Sequence, residues 1–172
     1  MPKYYASTSP EITASETAHA ALSRSLAGEC VVLLENDGAL PLPGKGKIAL
    51  YGNGARQTVK GGTGSGDVNT RTNVTVAQGL QNAGFVITTE RWLDAYDAKR
   101  KQAHEDYLAD CVRQAAEQGV AEFVVMFNTP FGETEINPVT DEDIAASDTD
   151  TAIFVIARNS GEGADRWNVE RS

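Results

Sequence analysis

Four short, near-continuous apolar runs constrain the fold of this chain more than any other feature. They are Lys47-Ile48-Ala49-Leu50-Tyr51-Gly52, Phe85-Val86-Ile87-Thr88, Glu122-Phe123-Val124-Val125-Met126-Phe127 and Thr151-Ala152-Ile153-Phe154-Val155-Ile156-Ala157. A strand with one face in water alternates apolar and polar residues, because successive side chains point to opposite faces. These runs are apolar on both faces, which is the pattern of a parallel sheet covered on each side by helices. Helices fall between the runs. Residues 74–84 read as a helix ended by Gly84, with Leu80 and Ala83 inward. Residues 92–119 read as a long, charged, amphipathic helix with a candidate break near Lys101, and residues 141–146 as a short helix. Upstream, Thr13 and Glu16 form a capping-box pair. Ala18, Leu22, Leu26 and Cys30 then recur every four residues, so a helix with one apolar face is expected from Ala14 to about Cys30. Glu35-Asn36-Asp37-Gly38 is a turn signal, and Pro41-Leu42-Pro43-Gly44 keeps the chain out of helix. The expected fold is α/β, a largely parallel sheet flanked by helices.

In open parallel sheets the chemistry gathers at the carboxyl ends of the strands. Two glycine-rich segments lie there, residues 52–67 after the first run and residues 158–166 after the fourth. Gly52-Asn53-Gly54-Ala55-Arg56-Gln57 begins like a dinucleotide fingerprint but lacks the third glycine, and the segment continues as loop where a phosphate site needs a helix amino terminus. Gly61-Gly62-Thr63-Gly64-Ser65-Gly66 has no Gly-Lys-Ser/Thr ending, so it is not a Walker A loop. Thr63 and Asp67 occupy the places where a serine nucleophile elbow needs glycines, which removes Ser65 as a nucleophile. So many small residues suit either a plain surface connection or a backbone that must come close to a ligand or another domain. The second segment, Arg158-Asn159-Ser160-Gly161-Glu162-Gly163-Ala164-Asp165-Arg166, sets a carboxylate between two glycines just past a buried strand. A lone Glu in a loop is most often a solvated residue. Presented on an exposed turn beside a substrate, its pKa can rise far enough for general acid work.

Composition narrows the partners. The formal net charge of −9 argues against nucleic acid, whose binding is driven by Lys/Arg clusters and counterion release. No apolar run approaches the roughly 20 residues needed to span a bilayer, and the polar stretch over residues 1–13 reads as an N-terminal extension, not a signal peptide. Two histidines, His19 and His104, are a poor inventory for a His-based metal site or triad, and no metal or other cofactor is expected. Cys30 and Cys111 form no CxxC pair, which fits a reduced, cytoplasmic location.

Taken in order, five segments resemble the α/β sandwich domain of family 3 glycoside hydrolases, the β-glucosidase family. Residues 29–42, with Leu33-Leu34-Glu35-Asn36 and Leu40-Pro41-Leu42, resemble the entry to that domain. Residues 47–55 resemble its first strand and turn, residues 60–69 its glycine-rich loop, residues 74–80 the following helix, and residues 152–166 the strand and acid/base loop. The resemblance implies that residues 14–172 are an incomplete (α/β)6 sandwich, truncated after the acid/base loop. It also implies a retaining mechanism on a β-glucoside or oligosaccharide. An Asp on a separate (β/α)8 barrel attacks the anomeric carbon, while a Glu from this domain protonates the leaving oxygen and then activates water. Carried over by position, Glu162 is the acid/base, and Arg158, Asp165 and Arg166 shape its loop. Lys60, Gly61, Gly62, Thr63, Gly64, Ser65 and Asp67 would line the sugar or aglycone side. The nucleophile is not among these residues, so the chain alone is expected to be inactive, as part of a parent enzyme with the sandwich first and the barrel after. Two other readings stay open: a freestanding sugar- or protein-binding module, and a flavodoxin-like nucleotide-binding regulator. An unfinished sheet also leaves an unpaired edge, so self-association is expected.

Overall fold

The structure of the chain, a computed structural model, describes residues 10–42, 44–61, 66, 68, 70 and 72–159. The chain divides into two compact units, Met1–Pro43 and Gly44–Ser172. In the first, helix α1 spans Ala14–Leu26 and begins with the expected reciprocal cap. The Thr13 hydroxyl accepts from the Glu16 N–H at 3.1 Å, and the Glu16 carboxylate accepts from the Thr13 N–H at 2.8 Å. A 3₁₀ turn, Ala27–Cys30, carries the chain to the expected end of the helix. No residue of α1 is buried, Leu22 and Leu26 included. The turn expected at residues 35–38 is closed by Asn36, whose side-chain oxygen accepts from the Gly38 and Leu40 N–H groups.

The second unit is built on a three-stranded parallel sheet. Strand β1 (Lys47–Tyr51) lies between β2 (Val86–Ile87) and β3 (Ala152–Phe154). Lys47 pairs with Val86 on one edge, and Tyr51 with Phe154 on the other. Four of the five β1 residues are buried, as a two-faced apolar run requires. Ile48 and Leu50 are fully covered, and Leu93 nearly so. Helix α2 (Val76–Asn82) is capped by Thr75 and Gln78. Its buried residue is Ala77, and Ala83 is exposed, contrary to the expected inward face. The helix docks by its first turn, where the Ala77 N–H donates to the Ala55 carbonyl at 2.9 Å, so its last turn projects outward. Helix α3 (Glu90–Gln118) buries Trp92, Leu93, Tyr96, Cys111 and Ala115 and ends at Gly119 in the left-handed conformation. It runs unbroken through Lys101. Side-chain pairs such as Gln102–Asp106 and Arg113–Glu117, four residues apart, brace its solvent-facing turns. Helix α5 (Asp141–Ala146) falls where expected, capped by Thr140.

One of the four expected strands is a helix. Residues 122–127 lie in α4, Glu122–Asn128, packed along α3. β2 and β3 occupy both edges of β1, and among the described residues the run pairs with neither of their outer edges. Its backbone groups are satisfied within the helix instead. Only Val125 of the run is buried, against Cys111 and Ala115, while Phe123 and Phe127 are 71% and 85% exposed. The fourth run also differs from a strand covered on both faces. Burial alternates along residues 151–159, and the Phe154 and Ile156 face is uncovered. Two truncations therefore separate the readings for these runs. Leu50→Ala should cost about 2–5 kcal/mol in urea unfolding, whereas Phe127→Ala should stay within about 0.5 kcal/mol. Comparable losses at both sites would return residues 122–127 to a buried strand.

Candidate functional site

The two glycine-rich segments meet, in their described parts, where β1 and β3 end. The β1–β3 pairing runs past the strands through Val155, whose N–H donates to the Tyr51 carbonyl at 2.9 Å and whose carbonyl accepts from the Gly54 N–H at 3.2 Å. The turn that makes this possible is glycine-dependent. Gly52 has φ +96°, and a Cβ there would lie 2.2 Å from the Val155 oxygen; one on Gly54 would lie 2.6 Å from a Val155 methyl. Between these glycines, Asn53 turns its amide on Ala157. Its Nδ2 donates to the Ala157 carbonyl at 2.9 Å, and its Oδ1 accepts from the Ala157 N–H at 2.8 Å. The loop is tied at its far side to α2, where the Thr58 hydroxyl accepts from the Val76 N–H at 3.1 Å.

The same loop carries the main charge cluster of the site. The Arg56 guanidinium bridges three carboxylates on one face of α3: Glu90, Asp94 at 2.7 Å and Asp97 at 2.8 Å. Burial alone would lower the guanidinium pKa, but hydrogen bonds to Asp97, Asp94 and Glu90 outweigh it and raise the pKa above its ordinary value. Tyr51 packs edge-on against Trp92, also of α3, with ring centroids 5.3 Å apart, and its hydroxyl donates to the Asp143 carbonyl at 3.2 Å. Burial, with the Asp143 charge adding to it, raises the Tyr51 pKa above its ordinary 10.0. A cleft of about 300 Å³ between α3 and α5, lined by Arg91, Trp92, Asn137, Glu142 and Asp143 among others, shares no residue with the two loops.

The profile of the glycosyl hydrolase family 3 C-terminal domain matches residues 31–171. The chain belongs to this family. Over 159 residues it is 36% identical to beta-glucosidase A of Butyrivibrio fibrisolvens, an alignment covering 90% of this chain and 16% of that protein. Its fold matches the solved structure of beta-glucosidase 3B from Thermotoga neapolitana in complex with glycerol. There the TM-score is 0.61 and the identity 31%, over 95% of this chain and 20% of the other. The chain thus spans about a fifth or less of the length of these relatives.

Within this family domain, the sequence-predicted site residues divide into those described and those outside. Lys60 is exposed, and its ammonium donates to the Val68 carbonyl at 2.7 Å. Gly61 is half-buried, its backbone against the Gly66 carbonyl. Arg158 is exposed, one residue past the Ala157 that Asn53 grips. Gly62, Thr63, Gly64, Ser65, Asp67, Glu162, Asp165 and Arg166 lie outside the described residues. Sequence reasoning gave no role to Asn53 or Arg56, meeting both in an imperfect nucleotide fingerprint and Asn53 also in the family-like turn after the first strand. A signal for Arg56 was present: Glu90, Asp94 and Asp97 are spaced to share one helix face.

Two outcomes follow. Arg56→Met leaves three partly exposed carboxylates facing one another, and should cost about 1–2 kcal/mol in urea unfolding, less in high salt. Because the folded state holds the Tyr51 proton more tightly than the unfolded state, its contribution to stability is intact below pH 10.0 and declines as pH rises beyond it. Tyr51→Phe should therefore flatten the alkaline fall in thermal stability, and an unchanged alkaline limb would show that the fall comes from other groups.

Proposed function

We propose that this chain is the acid/base-bearing α/β sandwich domain of a retaining β-glycosidase of the β-glucosidase type, acting on terminal β-D-glucosyl residues. The observation that carries this reading is the reach of the family match, residues 31–171, which takes in both glycine-rich segments and Glu162. The names of the relatives support the substrate class. In this reading residues 14–172 act as one domain against a companion (β/α)8 barrel that supplies the nucleophilic Asp.

The chemistry divides between the two parts. The barrel carboxylate attacks the anomeric carbon as Glu162 delivers its proton to the departing glycosidic oxygen, leaving a covalent glycosyl-enzyme. Glu162, now a carboxylate, then takes a proton from water as that water attacks the anomeric carbon and frees the sugar and the nucleophile. A retaining pair needs its carboxyl groups about 5–5.5 Å apart, so the loop carrying Glu162 must be held against the barrel. Arg158, Asp165 and Arg166 shape that loop, and Lys60 to Asp67 line the sugar or aglycone side. Two free thiols, Cys30 and Cys111, fit a reducing cytoplasm and a place in carbohydrate metabolism there. The exposed Phe154 and Ile156 beside the edge strand β3 support self-association.

In the enzyme completed by its barrel, Glu162→Gln should lower kcat/KM on an alkyl β-glucoside by about 10²–10⁴-fold. The 172-residue chain by itself should not turn the substrate over. A Glu162→Gln enzyme with wild-type rates would remove Glu162 from the role.

A further inference from the structure

We propose that Asn53 is a positioning residue for the acid/base segment, holding both backbone groups of Ala157 and so fixing the point from which the chain runs on to Glu162. The inference rests on the acid/base reading of Glu162. Its physical basis is a gap in the sheet. Main-chain pairing between β1 and β3 ends with the Val155 carbonyl, because Gly52 turns the β1 chain away. Ala157 has no β1 residue opposite it, yet its N–H and carbonyl are both satisfied, by Asn53 at 2.8 and 2.9 Å. The side-chain amide reproduces the donor–acceptor pair of a peptide unit and extends the sheet by one rung. The Ala157 N–H requires an acceptor and its carbonyl a donor, so the orientation of the amide is determined by its partner.

The residue type is specific. Asp would keep an acceptor for the Ala157 N–H but present a charge to its carbonyl; Ala would leave both groups to water; Gln would add a methylene between loop and strand. Gly54 completes the device, since a Cβ there would lie 3.1 Å from the Ala157 Cβ and 3.2 Å from its nitrogen. Glu162 follows Ala157 by five residues, close enough for a loosened Ala157 to alter its placement. A general acid works only within hydrogen-bond reach of the oxygen it protonates, and a misplacement of about 1 Å can cost as much as 10²-fold.

The signature of such a role differs from simple loss of fold. A glycoside with a strongly acidic phenol departs without a proton, whereas an alcohol or sugar leaving group needs one. In the enzyme completed by its barrel, kcat/KM is measured across aryl and alkyl β-glucosides of graded leaving-group acidity, for wild type, Glu162→Gln, Asn53→Ala and Asn53→Asp, with thermal unfolding setting the folded fraction of each. Asn53→Ala should lose about 10–100-fold on the most basic leaving group and less than about threefold on the most acidic. Asn53→Asp, which keeps the Ala157 N–H acceptor, should fall between it and wild type, and it carries the test if Asn53→Ala does not fold. A loss equal across the series, or none, while Glu162→Gln shows the steep dependence, overturns the role of Asn53 alone. A flat series for Glu162→Gln overturns the acid/base reading and the proposal with it.

Discussion

The demand that a buried parallel strand have every backbone N–H and carbonyl satisfied governs this domain. β1 is covered on both faces and paired on both edges, yet its neighbours are short: β2 has two residues and β3 three. Side chains complete what those strands leave undone. The buried Thr89 hydroxyl accepts from the Leu50 N–H at 2.8 Å and donates to the Leu50 carbonyl at 2.7 Å, taking the place of a further β2 residue. Asn53 does the converse on the other edge, lending the exit of β1 to Ala157. Each bond set also fixes an element. Thr89 immediately precedes α3 and sets where Trp92, Leu93 and Tyr96 enter the core; Asn53 holds the segment that leads to the glycine-flanked Glu162.

Charge and packing divide the remaining work. The aromatic cluster of Tyr51, Trp92 and Tyr96 packs one face of β1 against α3, and Ile48 and Leu50, which point the other way, are fully buried on its second face. Arg56 anchors the post-β1 loop to the acidic face of α3, where three carboxylates would otherwise repel one another. The loop is therefore held at three places, by Val155 and Ala157 on β3's extension, by α2 through Thr58 and Ala55, and by α3 through Arg56. A glycine-rich composition suggests slackness, but the part of this loop nearest the sheet is a braced turn whose glycines permit close approach.

Most of the fold was legible because its signals are local. The capping pair Thr13–Glu16 lies three residues apart and marks the start of α1, and the structure shows the same spacing at Thr75–Gln78 and Thr140–Asp143. β1 was legible from its run of apolar residues, four of which the structure buries. The run at residues 122–127 was misread because a short apolar stretch has the same composition in a buried strand and in a packed helix. The difference lay in what the run packs against, the Cys111 and Ala115 face of α3, which meets the run through Val125. The site was legible as a place, the carboxyl ends of β1 and β3, and Asn53 was not, since its partner lies 104 positions away.

By itself the sequence determined the α/β class, the cap of α1, the buried strand β1 and, through its motifs, membership of the glycoside hydrolase family 3. These depend on patterns within a dozen or so residues, or on motifs kept in order along the chain. Tertiary structure alone decided that α4 is a helix, that Arg56 gathers three carboxylates and that Asn53 clasps Ala157. Each of these is settled by what stands opposite a group in space, because a hydrogen bond or an ion pair is a relation between two places in the chain that no window along it contains.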